Sequence, residues 1–157
     1  MVEVVAALVG AIIGSAITLV YSSVREHLAL RREQKIINNA LLAEGELKLE
    51  LLKTLQSSYK YLGGISPVRF SLDLYEHALL RHMTALGNLK LIAQLSQLII
   101  DARSLNSALD RYEPELLKAM EDTRRKPNVE NMRVAICKNI GVCSIALENV
   151  RKVLKDS

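Results

Sequence analysis

No charged residue falls between Val4 and Tyr21, in VVAALVGAIIGSAITLVY, and beyond it apolar residues recur every three or four positions among charged ones. The first pattern predicts a helix apolar on every face; the second predicts amphipathic helices. At 1.5 Å per residue the uncharged run spans about 27 Å, close to the roughly 30 Å hydrocarbon thickness of a bilayer. A secretory signal would carry positive charge ahead of its apolar core, whereas the acidic Glu3 precedes this one. A buried core helix at the edge of a small domain would keep one polar side. The run is therefore read as a transmembrane helix.

Arg25, Arg31, Arg32 and Lys35 follow the run closely and no Lys or Arg precedes it. Basic flanks stay in the cytoplasm, which predicts an N-terminus outside, a cytoplasmic remainder, and these four side chains facing anionic headgroups. Within the run, Ala6, Gly10, Gly14 and Thr18 form a ridge at spacing four, with Ala7, Ala11 and Ser15 beside it. Small residues let helix backbones approach closely in lipid, so this half of the helix is a candidate self-association face. A lipid-facing anchor with incidental glycines is the alternative.

From Ser22 to Glu44 neither Pro nor Gly interrupts, so one helix is expected from near Val4 to about Ser58. Gly45 is its soft spot, costing about 1 kcal/mol relative to Ala. Ile36, Ile37, Ala40, Leu41, Leu47, Leu51, Leu52 and Leu55 give this helix an apolar face wider than a two-stranded seam needs. The Gly63-Gly64 pair and Pro67 predict a turn. Ser71 is placed to cap a second helix carrying Leu72, Tyr75, Leu79, Met83 and Leu86, which Gly87 ends. Asn88 is placed to cap a third, whose Leu91, Leu95, Leu98, Ala102, Leu105, Leu109 and Tyr112 step by four and three in a coiled-coil-like stripe. Pro114 is expected to interrupt it, leaving a short helical turn or two before a basic loop at Arg124, Arg125 and Lys126. Asn128 is placed to cap the last helix, with Ile136, Ile140, Cys143, Leu147, Val150 and Leu154 on one side.

The expected fold is all-α: a transmembrane helix and basic juxtamembrane segment over 1–35, running into an antiparallel cytoplasmic bundle of about four helices over 36–157. Composition agrees. The chain has 157 residues, no Trp and one Phe, and its common residues are helix formers, so it holds one such domain and no second. The net charge of +4, with both signs interspersed, is too mild for a dedicated nucleic-acid binder.

Reaction chemistry is sparse. Cys137 and Cys143 lie six apart on one predicted helix, hence on different faces, and read as reduced packing residues. His77 and His82, five apart, do not share a helical face, and no metal or other cofactor is expected. Phosphate loops, nucleophile elbows and metalloprotease motifs are absent, and no catalytic residue is assigned. Glu44, Glu46 and Glu50 beside Lys48 and Lys53 read as solvated charges with helical pairing such as Glu44 to Lys48.

The stretch Leu41-Leu42-Ala43-Glu44-Gly45-Glu46-Leu47-Lys48-Leu49-Glu50-Leu51-Leu52, with Leu105-Asn106 in a later helix, resembles a broad group of small prokaryotic single-pass membrane proteins. Those often read L-x-A-E-I-x-x-N-L-x-L-L in the first region. Here Gly45 stands at the apolar position and Lys48 at the Asn. The resemblance covers about the first two thirds of the chain and implies the membrane architecture, not an activity. Function is expected to be that of a non-enzymatic, membrane-anchored interaction or scaffold protein. Its partners would be the bilayer, a cytoplasmic protein and, through the membrane helix, further copies of itself. The alternative is a small membrane-active effector or accessory subunit, of phage or defence type, assembling through that helix.

Overall fold

The structure is a computed structural model of the chain; it describes residues 2–62, 69–86 and 88–156, and of residues 2–13, 61–62 and 84–85 the backbone alone. Five α-helices are present among the described residues: α1 (Val2–Ser57), α2 (Asp73–Arg81), α3 (Met83–Leu86), α4 (Leu89–Glu121) and α5 (Lys126–Lys155). A π-type turn, Ser58–Leu62, extends α1, and a 3-10 turn, Thr123–Arg125, joins α4 to α5. The chain divides into two compact units, residues 1–36 and 37–157.

The first unit is the N-terminal part of α1 alone. Among the described residues no helix is long and apolar enough to cross a membrane. Of the expected transmembrane stretch, the side chains of residues 4–13 lie outside the described residues, including those at Ala6 and Gly10.

The second unit is a four-helix bundle whose directions follow from its contacts. Glu46 pairs with Arg151 while Tyr59 lends its carbonyl to Arg133, so α1 and α5 are antiparallel. Arg103 pairs with Glu76 while Asn106 meets Phe70, so α2 runs against α4. The four-residue connection 122–125 returns the chain along α4, and α5 packs extensively against α4. The order is up, down, up, down, with α2 and α3 together forming the second member.

All seven predicted stripe positions of α4 and all six of α5 are buried. They meet Leu41, Leu49, Leu52, Leu55 and Tyr59 of α1 and Phe70, Leu72, Tyr75, Ala78 and Leu86 of the second member in one core. Each fully buried Leu or Ile contributes roughly 1.5–3 kcal/mol, which is what holds helices of modest intrinsic propensity in place.

Five expectations need correction. Ile36 and Leu47 are each 69% exposed; the buried stripe of α1 passes instead through Gly45 and Leu49. The second helix breaks at His82, whose backbone leaves helical geometry and still donates to the Ala78 carbonyl. Ser71 does not cap α2: its hydroxyl bonds the Asp73 carboxylate, and Leu72 precedes the first turn. Pro114 does not interrupt α4, which continues to Glu121 because Tyr112 and Ala119 on either side of it are buried against the bundle. The helix forgoes one backbone hydrogen bond there, and packing offsets the loss. The last helix starts at Lys126, ahead of Asn128, with Pro127 in the first turn, where a missing N–H costs nothing. Asn88 caps α4 as expected, accepting from the N–H groups of Lys90 (3.0 Å) and Leu91 (3.2 Å).

Candidate functional site

Three places gather groups that bear on function. The first is α1 between Gly14 and Lys35. Thr18 donates its hydroxyl to the Gly14 carbonyl at 2.9 Å, so its proton is spent within its own helix. A Cβ placed on Gly14 would meet nothing within 4 Å. Ile17, Leu19, Val20 and Tyr21 are exposed, and at about 100 degrees per residue they spread over more than half of the helix circumference, with Gly14, Ser15, Thr18 and Ser22 on the rest. Arg25, Arg31, Arg32 and Lys35 are all exposed, and none of them pairs with a carboxylate among the described residues.

The second place is a groove of about 560 Å³ between the end of α4 and the start of α5. Leu116, Ala119, Met120 and Val129 give it an apolar lining beside Tyr112, and Lys126, Glu130 and Arg133 stand around it. Two of these charges, Glu130 and Arg133, are matched to each other. Arg133 bonds Glu130 and also donates to the Tyr59 (2.9 Å) and Lys60 (3.0 Å) carbonyls, tying α5 to the end of α1. Those bonds from Arg133 hold the Glu130 carboxyl below its usual range. Arg125 reaches Glu115 at 3.4 Å, and a hydrogen bond from Lys118 is the main cause of the lowered Glu115 pKa. The basic loop at 124–126 is thus partly self-neutralised. What the groove offers is an apolar surface at a bundle end, suited to a hydrophobic side chain or helix edge.

The third place is a polar seam where α1, α2 and α5 meet. Tyr75 is fully buried and its hydroxyl has no hydrogen-bond partner among the described residues, as is true of the Arg151 Nε. Burial pushes the Tyr75 hydroxyl pKa up, the Glu44 carboxylate adds to the rise, and the Arg151 guanidinium opposes it. Arg151 passes close to Gly45, where an added Cβ would lie 3.2 Å from its Cγ, and reaches Glu46 at 3.0 Å. Glu44 pairs with Lys48 at 3.2 Å, the helical pairing expected, while the Lys48 ammonium lies 5.4 Å from the centre of the Phe70 ring. Phe70 is held on its other side by Asn106, which accepts from its N–H and donates to its carbonyl, both at 2.9 Å. The Leu105-Asn106 pair therefore has two separate jobs: Leu105 fills the core, and Asn106 fixes the chain entering α2.

Of the remaining candidates, Cys143 is fully buried, and its thiol is pushed up to about 12, chiefly by burial and further by the nearby Asp101 carboxylate. It stays protonated at neutral pH and is a packing group. Both cysteines are free. His77 and His82 come together, ring centres 5.1 Å apart, because the break at His82 cancels the angular offset that a spacing of five would impose. No group of three or more His, Cys, Asp or Glu side chains among the described residues is arranged to hold a metal ion.

The groove and the His77–His82 contact were not legible in the sequence, since both arise where elements end or break. Comparison of the chain with protein-family models, curated proteins and solved structures finds no match.

Proposed function

We propose that this chain is a membrane-anchored interaction protein. The run Val4–Tyr21 crosses the bilayer with its N-terminus outside, and the bundle is displayed in the cytoplasm to a protein partner. The observation that carries this reading is the exposure of Ile17, Leu19, Val20 and Tyr21 over more than half the circumference of α1, the remainder being the small residues Gly14, Ser15, Thr18 and Ser22. Apolar side chains spread this widely on a helix are unfavourable in water by about 25 cal/mol per Å² and favourable in lipid. The basic flank that follows the run, Arg25 to Lys35, supports the direction. The apolar groove between α4 and α5 is the bundle surface best suited to a partner.

The reading is tested by placing epitope tags at the two ends of the full chain and treating sealed cells with protease. The N-terminal tag is expected to be lost and the C-terminal tag to survive until the membrane is opened. Loss of both tags in sealed cells, or survival of both, contradicts the proposed topology.

A further inference from the structure

α4 and α5 extend past the turn that ends α1. The ring of Tyr59, in that turn, meets the ring of Tyr112 with centres 5.4 Å apart, and Arg133 bonds the Tyr59 and Lys60 carbonyls from α5. Beyond Tyr112, α4 runs on to Glu121, about 13 Å further, and the start of α5 returns beside it. The groove of about 560 Å³ lies on this overhang, and no described residue of α1 or α2 lines it. Ala119 and Val129 are its buried floor, and Met120, 76% exposed, stands at its edge.

The carboxylates near the groove are engaged: Glu130 by Arg133, Glu115 by Lys118 and Arg125, and Asp122 by Arg125 at 3.9 Å. Lys126, which lines the groove, and Arg124, in the turn beside it, pair with no carboxylate among the described residues. Glu121 is unpaired as well, but it lies about 180 degrees round α4 from Tyr112, on the face away from the groove. The groove therefore combines an apolar floor with uncompensated positive charge at its loop end.

We propose that this groove takes an amphipathic helix of a partner protein, apolar where it meets Ala119, Met120 and Val129 and acidic where it meets Lys126 and Arg124. The proposal rests on the reading of the chain as an interaction protein and names the chemistry of the partner. Two packed helices that outrun their bundle leave a trough between them, into which a third helix lays an apolar stripe at i, i+3, i+4 and i+7. Met120 suits the edge of such a trough, because a flexible thioether repacks against side chains of different shape. The apolar face supplies contact area, and the carboxylates select the partner by charge.

Charge also disfavours two other occupants. A second copy facing the groove two-fold would set the unpaired Arg124 and Lys126 against their like. The chain's own residues 63–68, GGISPV, hold no carboxylate to answer Lys126.

The test uses the full chain in phosphatidylcholine nanodiscs, with a photo-cross-linking side chain in place of Met120. Two synthetic helical peptides serve as probes; they share one leucine stripe, flanked by glutamates in the first and by lysines in the second. Empty nanodiscs report uptake of either probe by lipid. The glutamate probe is expected to cross-link several-fold more than the lysine probe. Lys126→Glu is expected to erase that preference while leaving α5 intact, since an acidic residue suits the first turn of a helix. Equal cross-linking of the two probes, a preference that Lys126→Glu leaves unchanged, or cross-links formed only within the chain or to a second copy would overturn the proposal. The tag-protection assay scores the anchored reading separately. No cross-link to the glutamate probe, from a chain whose tags show the proposed topology, removes the groove partner and leaves the anchor. The charge-ordered cross-links, from a chain whose tags show another topology, keep the groove partner and remove the anchor.

Discussion

Asn106 holds Phe70 by both backbone groups, accepting from its N–H and donating to its carbonyl at 2.9 Å each, and so fixes where the second bundle member begins. One side chain there does what a neighbouring strand would do for an extended residue. Asn106→Leu leaves both Phe70 groups without partners in a part-buried place, and the expected loss is about 2–3 kcal/mol of bundle stability. Asn106→Asp keeps the acceptor and loses the donor, and is expected to fall between. Urea unfolding of the full chain in detergent, followed by circular dichroism, checks the order wild type, Asp, Leu; a Leu variant as stable as wild type would show that the clasp contributes nothing.

Gly45 sits in the buried stripe of α1, with Arg151 and Leu147 above it. An alanine there gains about 1 kcal/mol of helix propensity but requires the Arg151 Cγ, 3.2 Å from the new Cβ, to yield. Arg151 is flexible, so Gly45→Ala is expected to change stability by less than about 1 kcal/mol in either direction. Gly45→Leu, with a side chain of the apolar kind that the resembling sequences carry, overpacks the site and is expected to cost about 1–3 kcal/mol. It is also expected to break the Glu46–Arg151 pair, now 3.0 Å. Thermal unfolding of the two variants distinguishes them, and equal midpoints would contradict the close approach.

Cys143 gives the bundle an alkaline weakness. Its thiol is raised from an ordinary 9.0 to about 12 by burial and by Asp101, so the unfolded chain releases this proton at a lower pH than the folded chain. Above pH 9 the unfolded state binds fewer protons, and stability falls by up to about 1.4 kcal/mol per pH unit until the folded thiol also ionises. The buried Tyr75 hydroxyl, likewise raised, adds to the loss once pH passes 10. Cys143→Ala is expected to lower stability at pH 7 and to flatten its decline between pH 9 and 11. In the same window iodoacetamide is expected to modify the part-exposed Cys137 well before Cys143. A decline unchanged by the substitution would locate the titration elsewhere.

Periodicity carries most of the fold, because the apolar positions that step by three and four along α4 and α5, from Leu91 to Tyr112 and from Ile136 to Leu154, are all buried. On α1 the stripe passes through Gly45, which has no side chain to mark it in the pattern, whereas Leu47, which fits the pattern, is exposed. The break at His82 has no Pro or Gly to announce it, and Pro114 suggests a break that burial of Tyr112 and Ala119 overrides. Tertiary packing decided all three. The candidate sites divide in the same way. The basic positions Arg25, Arg31, Arg32 and Lys35 can be read from the sequence as a cluster, whereas the groove between α4 and α5 exists only once the helices are packed. Asn106 was noticed as half of a Leu-Asn pair, yet its partner lies 36 residues away and no local pattern names it.

The proposed residence of Val4–Tyr21 in lipid is tested most directly by alkaline extraction of membranes containing the full chain, with Ile12→Asp as the paired variant. Aspartate near the middle of the run opposes insertion by about 2.5–3.5 kcal/mol. The account predicts that the wild-type chain stays with the lipid through extraction and flotation and that the variant is substantially released. Release of the wild-type chain into the alkaline supernatant would contradict it.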